Sequence, residues 1–383
     1  MKVPMNSSIS PQPNLSMNTG SRYRMPAEWA PHAAVWLQWP EEAMRDYPGY
    51  GVKLESTWLE MTRVLHEYVK VCIVVGGEAQ RDRLLMQFRH FGFDSSKIEL
   101  VVIPHDDVWA RDNGPIFVID AAGKLAVTSW HFNGWGGRSP SSRDTDVAKT
   151  VASKLGLPLV TAPIIAEGGA MEVDGNGTFM ATRSSILNAN RNPNLDVTEV
   201  EKVFSDILGV ERFIWLSGAP PDICEKLGDC TDYHIDIAAR FTPGGAILYC
   251  DSTDTSDARH PYLSQHRAEL ECAVDAKGEP FDLIALPTPK VYSTGISSIG
   301  IQSMPGVSLS PGRMTDASYT NYLVTNGLVA VPVFGCAEDE RAKAILAEHF
   351  PGRRVIGIPA ISLNEEGGAI HCVTQQQPLV PNS

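Results

Sequence analysis

The chain has 383 residues, of which 43% are hydrophobic and 20% charged, a composition typical of a globular protein with a sizeable core. Its formal net charge of −13 argues against nucleic acid as a partner, because phosphate binding needs clustered Lys and Arg. The charge is compatible with a cationic small substrate, although many proteins are acidic for solubility alone. No stretch of consecutive apolar residues approaches the ~20 that a membrane span requires, and the first residues lack the pattern of a signal peptide. We therefore expect a cytoplasmic protein that does not bind membranes.

The cysteines predict neither a disulfide framework nor a metal site. Their number is odd, and they are scattered over the chain. They are Cys72, Cys224, Cys230, Cys250, Cys272, Cys336 and Cys372. Cys224 and Cys230 lack a second His or Cys pair that would complete a zinc site. We expect reduced thiols and no bound metal.

The predicted elements follow a repeating order. Residues 1–24 are polar and rich in Pro, Ser and Asn, which predicts a disordered tail, and residues 379–383 are predicted to form a second tail. Apolar spacing predicts helices at 52–69, 79–91, 145–155, 197–208 and 338–349. Strands are predicted at 71–75, 98–103, 116–119, 157–160, 212–216 and 354–358, with hairpins after residue 169 and over 319–333.

The unit of helix, strand, polar loop and hairpin recurs about five times, which predicts an α/β fold in which neighbouring units pack together. No linker interrupts residues 25–378, so we predict a single domain over that range. Loops that follow equivalent strands should then meet on one face of the molecule.

Two segments share a pattern of an acid followed by two glycines and an apolar run. They are Glu167-Gly168-Gly169-Ala170-Met171 and Glu366-Gly367-Gly368-Ala369-Ile370. Glycine permits tight turns and lets the backbone approach a ligand closely. Cys372 follows the second segment, which is a suitable position for a nucleophile. An isolated Cys is more often a small buried hydrophobe, so other residues must decide between these interpretations.

Four further candidates lie in loops after predicted strands. Taken singly, each has an ordinary explanation: Asp112 beside Arg111 resembles a structural ion pair, and Glu167 a turn residue or helix cap. His234-Ile235-Asp236, interpreted as a strand, places both polar side chains on one face. That pair is compatible with a surface pair, a metal half-site or an acid–base couple.

Together with Cys372, these residues form a reactive set of one thiol, one imidazole that transfers protons near neutral pH, and three carboxylates without matching cations. Carboxylates that share a pocket repel each other and favour a cationic guest. A planar guanidinium, which makes bidentate contacts with carboxylates, fits best.

Six segments spread over residues 25–378 resemble those of the agmatine deiminases. This family is grouped with the Porphyromonas-type peptidylarginine deiminases in the guanidino-group-modifying superfamily. The segments are Trp109-Ala110-Arg111-Asp112-Asn113-Gly114-Pro115, Trp130-His131-Phe132-Asn133-Gly134-Trp135-Gly136-Gly137, Glu167-Gly168-Gly169, Leu187-Asn188-Ala189-Asn190-Arg191-Asn192-Pro193, His234-Ile235-Asp236 and Gly367-Gly368-Ala369-Ile370-His371-Cys372-Val373-Thr374-Gln375-Gln376-Gln377-Pro378. The resemblance implies a five-bladed α/β propeller with pseudo-fivefold symmetry. It also implies hydrolysis of agmatine to N-carbamoylputrescine and ammonia without a cofactor.

The resemblance assigns a catalytic role to five residues. Cys372 matches the nucleophile that forms a covalent thiouronium intermediate. His234 matches the general acid that protonates the departing ammonia and then the base that activates water. Asp112 and Asp236 match the carboxylates that bind the guanidinium nitrogens, and Glu167 matches the acid that orients His234. A free thiol has a pKa of ~8.5, and charged His234 and the guanidinium are the only cations identified, so we expect substrate binding to assist ionisation of the thiol.

The predicted substrate-binding residues are Trp109, which would stack against the substrate, with Asp107 and Gly368 nearby. Asp229 and Asp232 are assigned on charge alone, as carboxylates that could meet the primary ammonium of agmatine. A homodimer is compatible with the sequence, which contains no signal for or against it.

Two segments depart from the family pattern. Where the family usually has Asp-Thr-Asn-Gly-His-Ile-Asp-Asn, this chain has Tyr233 in place of Gly and Ile237 in place of the last Asn. Residues 41–46 replace the usual Arg-Pro-Asp-Asn-Trp. Both segments flank the far end of the substrate in the family. A different guanidine substrate, such as free or peptide-terminal arginine or a modified agmatine, therefore remains an alternative. Arg138 or Arg191 could then bind a substrate carboxylate. An amidinotransferase and a non-catalytic guanidine-binding protein are further alternatives, whereas the ligand motif of metal-dependent ureohydrolases is absent.

Overall fold

The computed structural model describes residues 22–40, 48–292, 312 and 314–381. Helices and short sheets alternate along this part of the chain, which confirms the predicted α/β class. The departure at residues 41–46 and most of the predicted tail at 1–24 lie outside the described residues. Tyr23–Arg24 already forms a strand, so regular structure begins inside that predicted tail. None of the described helices has the length and hydropathy that a membrane crossing requires.

The described residues form five sheets of three or four strands. Sheet 1 contains, in spatial order, Gln375–Pro378, His32–Gln38, Lys70–Val75 and Ile98–Val102. Sheet 2 contains Tyr23–Arg24, Ile116–Asp120, Leu125–Ser129 and Leu159–Thr161. Sheet 3 contains Glu172–Val173, Thr178–Thr182 and Arg212–Leu216. Sheet 4 contains Ala239–Phe241, Ala246–Asp251 and Asp282–Pro287, and sheet 5 contains Leu323–Thr325, Leu328–Val333 and Arg354–Pro359.

Each sheet contains an antiparallel pair extended by a parallel strand, and a helix connects the two parallel strands. Sheet 1 has a second parallel strand, Ile98–Val102, and sheet 2 has an extra antiparallel strand, Tyr23–Arg24. The longer helices in the described ranges are Pro48–Leu65, Glu78–His90, Val147–Leu155, Val197–Leu208, Pro221–Leu227, His260–Glu271 and Glu338–His349. Single helical turns are Ala110–Asn113, Gly134–Gly137, Asp144–Asp146, Gly168–Ala170, Arg183–Ile186, Ile235–Ile237 and Ile361–Asn364.

Local signals explain which elements were predicted well. The helix Val197–Leu208 has its predicted bounds, because Asp196 and Glu199 form a capping box and Gly209 ends the helix in a left-handed conformation. The helix His260–Glu271 and sheet 4 were not predicted. The first strand of that sheet contains Arg240, which is buried, so its sequence lacks the usual apolar pattern.

The hydrophobic core lies between neighbouring sheets. Side chains alternate along each strand, so a sheet presents two buried faces. In sheet 1, Trp36 packs in a cluster with Phe117 of sheet 2, whereas Leu37 packs in a different cluster with Val329 of sheet 5. Further clusters join sheets 2 and 3, sheets 3 and 4, and sheets 4 and 5.

The two ends of the described chain meet in sheet 1. Gln375–Pro378 pairs antiparallel with His32–Gln38, and Trp36 Nε1 donates a 3.0 Å hydrogen bond to Gln377 Oε1, 341 residues away. This strand begins three residues after Cys372. The pairing therefore anchors the segment that carries the candidate nucleophile.

Candidate active site

The backbone of Gly169 is the point at which three of the predicted side chains meet. A β-carbon at this position would lie 2.6 Å from His234 Nδ1, 2.9 Å from Asp112 Oδ1 and 3.1 Å from Asp236 Oδ2. These distances leave no room for a side chain, so the glycine lets three polar groups from separate loops share one location.

Cys372 belongs to the same cluster. Its Sγ lies 3.6 Å from Asp236 Oδ2 and accepts a 3.1 Å hydrogen bond from Asn321 Nδ2. Asn321 Oδ1 accepts the backbone N–H groups of His371 and Cys372 at 3.0 and 3.3 Å. The thiol side chain is only 8% exposed. Asn321, which the sequence analysis missed, thus orients both the sulfur and its backbone.

His234 is held between two carboxylates. Its Nδ1 lies 3.7 Å from Asp112 Oδ1, and its Nε2 lies 3.6 Å from Glu167 Oε2. Burial lowers the pKa of His234, but the charges of Asp112, Glu167 and Asp236 outweigh burial and raise the pKa to about 9. The imidazole therefore carries its proton at neutral pH and can act as an acid.

Asp112 and Asp236 differ in their hydrogen bonds. Asp112 accepts from Trp135 Nε1 at 2.8 Å and from Gly169 N at 2.9 Å. Asp236 Oδ2 lies 2.7 Å from His371 Nδ1, whereas Asp236 Oδ1 is buried and has no hydrogen-bond partner among the described residues. Burial raises the pKa of Asp112, while for Asp236 the nearby histidines outweigh burial and lower the pKa. An unpartnered buried carboxylate oxygen is costly, so Asp236 Oδ1 is suited to a cationic ligand.

The expectation of three carboxylates without matching cations is wrong. Arg191 Nε contacts Glu167 Oε1 at 2.7 Å, and both side chains are completely buried. Burial raises the pKa of Glu167, but Arg191 and His234 outweigh it and hold the pKa below its usual value. Arg191 lies in one of the segments that carry the family resemblance, but sequence reasoning could not tell which acid it meets.

A second imidazole lies next to the candidate nucleophile. His371 Nδ1 contacts Asp236 Oδ2 at 2.7 Å, and His371 Nε2 contacts Glu28 Oε2 at 2.8 Å. The ring therefore bridges two carboxylates, one of which belongs to the predicted site. Arg191 already shows that charged His234 and the substrate are not the only cations of the site. The Glu28–His371 contact joins residues 343 positions apart, and no local pattern signals it.

Trp109 and Cys372, the candidate nucleophile, both lie against Gly368. A β-carbon at Gly368 would overlap the ring of Trp109 and would lie 3.1 Å from Cys372 Cβ. The Trp109 ring also meets Trp135 edge to face at 6.4 Å between centroids. The second acid-Gly-Gly turn therefore brings the thiol and an aromatic wall together.

The other predicted substrate-binding carboxylates have protein partners. Asp232 is paired with Arg138 and Arg191. Its connection to the cluster at Gly169 is indirect and runs through Arg191. Asp229 accepts the backbone N–H groups of Thr231 and Tyr233 at 2.8 and 2.7 Å. Asp107 accepts the N–H of its neighbour Val108 at 2.8 Å. Their role as substrate ligands stays a prediction.

The segment around His234 differs from the predicted strand. Residues Ile235–Ile237 form a 3₁₀ turn, which follows Asp232 and Tyr233 in left-handed conformations with φ of 61° and 68°. The side chains of His234 and Asp236 still lie close together, because the turn places both against Gly169. Tyr233 and Ile237, the departures from the family pattern, are both buried in the core between sheets 3 and 4.

The electrostatics favour a neutral thiol without substrate. Burial, together with the charges of Asp236 and Asp112, raises the pKa of Cys372 well above its usual value. A cation placed between these two carboxylates would oppose that effect. The arrangement thus combines a thiol, a charged acid and a cation-binding pair of carboxylates. The described residues contain no group of three or more His, Cys, Asp or Glu side chains placed to hold a metal ion.

Known proteins resemble the chain over nearly its whole length. It is 33% identical over 367 residues to the agmatine deiminase of Ectopseudomonas mendocina. The alignment covers 93% of this chain and 95% of the relative. The agmatine deiminase of Pseudomonas fluorescens is also 33% identical, over 365 residues, with 93% of this chain and 95% of the relative covered. These matches confirm the resemblance that the six segments indicated.

Solved structures agree. The structure of the Enterococcus faecalis agmatine deiminase has a TM-score of 0.81 and 26% identity, and the match covers 94% of this chain and 99% of that one. A structure of the C. jejuni agmatine deiminase with substrate bound has a TM-score of 0.79 and 26% identity, with 94% and 97% covered. The family model described as Porphyromonas-type peptidyl-arginine deiminase matches residues 24–378. The chain therefore belongs to the Porphyromonas-type peptidyl-arginine deiminase family.

Proposed function

We propose that this protein hydrolyses agmatine to N-carbamoylputrescine and ammonia through a covalent intermediate on Cys372. One observation carries the proposal: charged His234 and the carboxylates of Asp112 and Asp236 meet at Gly169, and the thiol lies 3.6 Å from Asp236 Oδ2. The names of the similar proteins, which are agmatine deiminases, support the choice of substrate.

The guanidinium would bind between Asp112 and Asp236. Asp236 Oδ1 lacks a hydrogen-bond partner among the described residues, so it can accept an N–H of the substrate. A delocalised planar cation suits two carboxylates because it donates in several directions within one plane. Trp109 would stack against the flat or aliphatic part of the substrate, as its position against Gly368, which also adjoins Cys372, favours.

Binding of the cation would lower the pKa of the thiol, whose proton leaves to solvent as the substrate enters. The thiolate attacks the guanidinium carbon and gives a tetrahedral adduct. His234 then donates its proton to the departing nitrogen, the C–N bond breaks, ammonia leaves and an S-alkylthiouronium remains. Neutral His234 next takes a proton from water, which attacks the same carbon. The C–S bond then breaks with its electron pair on sulfur, the hydroxyl proton of the adduct passes to that thiolate, and N-carbamoylputrescine and the Cys372 thiol are released.

Glu167 and Arg191 would support this exchange of protons. Glu167 uses Oε1 for Arg191 and directs Oε2 to His234 Nε2. The arginine keeps the carboxylate ionised despite complete burial, and the ionised carboxylate favours the charged imidazole. Glu167 thus prepares His234 as an acid.

The structure favours agmatine over arginine. A substrate carboxylate would need a cation, and the two arginines considered for that role already have acidic partners: Arg138 pairs with Asp232, and Arg191 pairs with Asp232 and Glu167. The primary ammonium of agmatine would instead meet an acidic group, for which Asp107, Asp229 and Asp232 stay the sequence-based candidates.

We also propose that residues 25–378 form one catalytic domain, a five-bladed α/β propeller. In support, the described residues form five sheets that each contain an antiparallel pair extended by a parallel strand, and hydrophobic clusters join each sheet to its neighbours. The pairing of Gln375–Pro378 with His32–Gln38 would close the ring. Homodimerisation, absence of nucleic-acid binding and a cytoplasmic location stay predictions.

The test is ammonia release from purified protein with agmatine, free arginine, a peptide with C-terminal arginine and a simple alkylguanidine. Mass spectrometry would identify the products and any adduct on Cys372. We expect agmatine to be preferred, N-carbamoylputrescine to form and a thiouronium mass to appear on Cys372 after rapid acid quenching. Preference for arginine would contradict the substrate, and transfer of the amidino group to added glycine would indicate an amidinotransferase.

A further inference from the structure

Backbone strain in this molecule is concentrated in two loops next to the site. The described non-glycine residues with positive φ are His131, Trp135, Asp232 and Tyr233, with φ between 53° and 68°. The first two lie in the loop 130–138, which carries the Trp135 indole that bonds Asp112. The other two directly precede His234. Such conformations cost free energy in residues other than glycine and persist only where surrounding contacts hold them.

One ion pair joins the two loops. Arg138 Nη1 and Nη2 contact Asp232 Oδ2 and Oδ1 at 2.5 and 2.7 Å, a bidentate geometry. Arg138 Nη1 also donates to the backbone oxygens of Cys230 and Trp135 at 2.8 and 3.3 Å. A single side chain of the first loop therefore contacts the second loop through both its backbone and its carboxylate.

Asp232 is held from several directions. Besides Arg138, its carboxylate accepts from Arg191 Nη1 at 2.8 Å and from Asn190 Nδ2 at 3.0 Å. On the opposite side, its backbone oxygen accepts from Ser184 Oγ at 2.6 Å. The next backbone oxygen, that of Tyr233, accepts from Thr182 Oγ1 at 2.6 Å. The strained peptides that lead into His234 are thus fixed by side chains on both sides.

The same carboxylate is connected to the acid that faces the imidazole. Arg191 bridges Asp232 Oδ2 and Glu167 Oε1 at 2.8 and 2.7 Å, and Glu167 Oε2 faces His234 Nε2. Asp232 therefore contacts both supports of His234, namely its own loop and the arginine that holds Glu167.

From these contacts we infer that Arg138 and Asp232 are positioning residues: their ion pair holds the strained turn before His234 and so fixes the imidazole for proton transfer. Asp232 lies in the segment in which the chain departs from the family pattern through Tyr233, where a glycine would adopt the same φ without strain. The inference rests on the proposed function, and it replaces the charge-based assignment of Asp232 to the ammonium of agmatine.

The experiment compares agmatine with n-butylguanidine, which lacks the terminal ammonium, in wild type and in the variants Arg138→Ala, Arg138→Lys and Asp232→Asn. A positioning role predicts that Arg138→Ala lowers kcat about tenfold for both substrates with little change in KM, because the geometry of proton transfer is disturbed. Lysine restores part of the loss, since it supplies the charge without the bidentate geometry. Asp232→Asn should show the same pattern as Arg138→Ala. An ammonium ligand would instead raise KM for agmatine and leave butylguanidine unaffected, which would overturn the inference.

Arg83→Ala is the matched control. Arg83 pairs with Glu55 at 2.8 Å, and the two side chains are 41% and 15% exposed, against 37% and 6% for Arg138 and Asp232. This control should keep wild-type kinetics. Hydrogen–deuterium exchange provides a readout without turnover: Arg138→Ala should speed exchange in peptides over 130–138 and 229–238, and Arg83→Ala should not. Unchanged kcat and exchange in Arg138→Ala would refute the inference, whereas a wild type inactive on both guanidines would refute the proposed function.

Discussion

Two turns of this molecule share the pattern acid-Gly-Gly and differ in what they support. In Glu167-Gly168-Gly169 the acid is completely buried, pairs with Arg191 and faces His234. In Glu366-Gly367-Gly368 the acid is partly exposed, and the residue that we propose as the nucleophile is Cys372, which follows the turn. In both turns the second glycine is pressed against the site: Gly169 against three polar groups, and Gly368 against Trp109 and Cys372.

The comparison separates two roles that we propose for one sequence pattern. The first turn brings together the groups that bind charge and transfer protons, whereas the second carries the nucleophile and the aromatic wall of the site. Changes at equivalent positions of the two turns should therefore affect different kinetic constants.

The largest effect is expected for Cys372→Ser, which keeps the second turn and removes its chemistry. A serine hydroxyl beside Asp236 and Asp112 ionises even less readily than the thiol, so turnover of agmatine should fall at least about a thousandfold. Ammonia release measures the loss. The exposed Cys272, changed to Ser, is the control and should keep full activity. Near-normal turnover by Cys372→Ser would contradict the covalent mechanism.

Gly169→Ala should disrupt the first turn without replacing any charged side chain. The added methyl would lie 2.6 Å from His234 Nδ1 and would push the imidazole away from its carboxylates, so kcat should fall about a hundredfold. Steady-state kinetics with agmatine measures this. Gly244→Ala is the control, because its nearest neighbour, Thr242 Oγ1, is 4.0 Å away. Wild-type kcat in Gly169→Ala would show that the three groups do not act at this point.

Gly368→Ala should have a smaller effect and a different character. The methyl would displace the ring of Trp109, which can tilt, so we expect KM for agmatine to rise about tenfold while kcat changes less. The ratio of the two constants distinguishes this variant from Gly169→Ala. If both variants lower kcat to the same extent with unchanged KM, the division of tasks between the turns is wrong.

The smallest change concerns the pH profile. Because the pKa of His234 is raised to about 9, the charged form persists through neutral pH, and kcat/KM should fall as pH rises through that value. Glu167→Gln removes an anion that favours the charged imidazole, so this limb should move to lower pH. Glu366→Gln, the equivalent change in the second turn, should leave the limb in place. A limb that does not move in Glu167→Gln would contradict the role of Glu167.

Local signals in the sequence predicted much of the architecture. Apolar spacing located the helix Val197–Leu208, whose ends are fixed by capping residues, and the glycine pairs marked both turns of the site. The first strand of sheet 4 was missed because it contains Arg240, whose guanidinium is buried in contacts with Glu28 and Glu172 at 2.6 and 2.9 Å. A strand whose charge is compensated by distant residues has no recognisable pattern by itself.

The groups that support the site could not be predicted for the same reason. Asn321 contacts a cysteine 51 positions later, and Glu28 reaches His371 across 343 positions. These contacts depend on how whole sheets pack. The family resemblance named the candidate residues that the structure brings together, but it could not show which cations compensate them.

The strand Gln375–Pro378 has a consequence for how the protein becomes active. Its partner His32–Gln38 is synthesised more than three hundred residues earlier, so this edge of sheet 1 stays open while the ribosome completes the intervening units. Pairings of such high contact order form late in folding. A nascent or truncated chain would therefore contain the acids that attract a guanidinium before it has a sulfur in place to attack one.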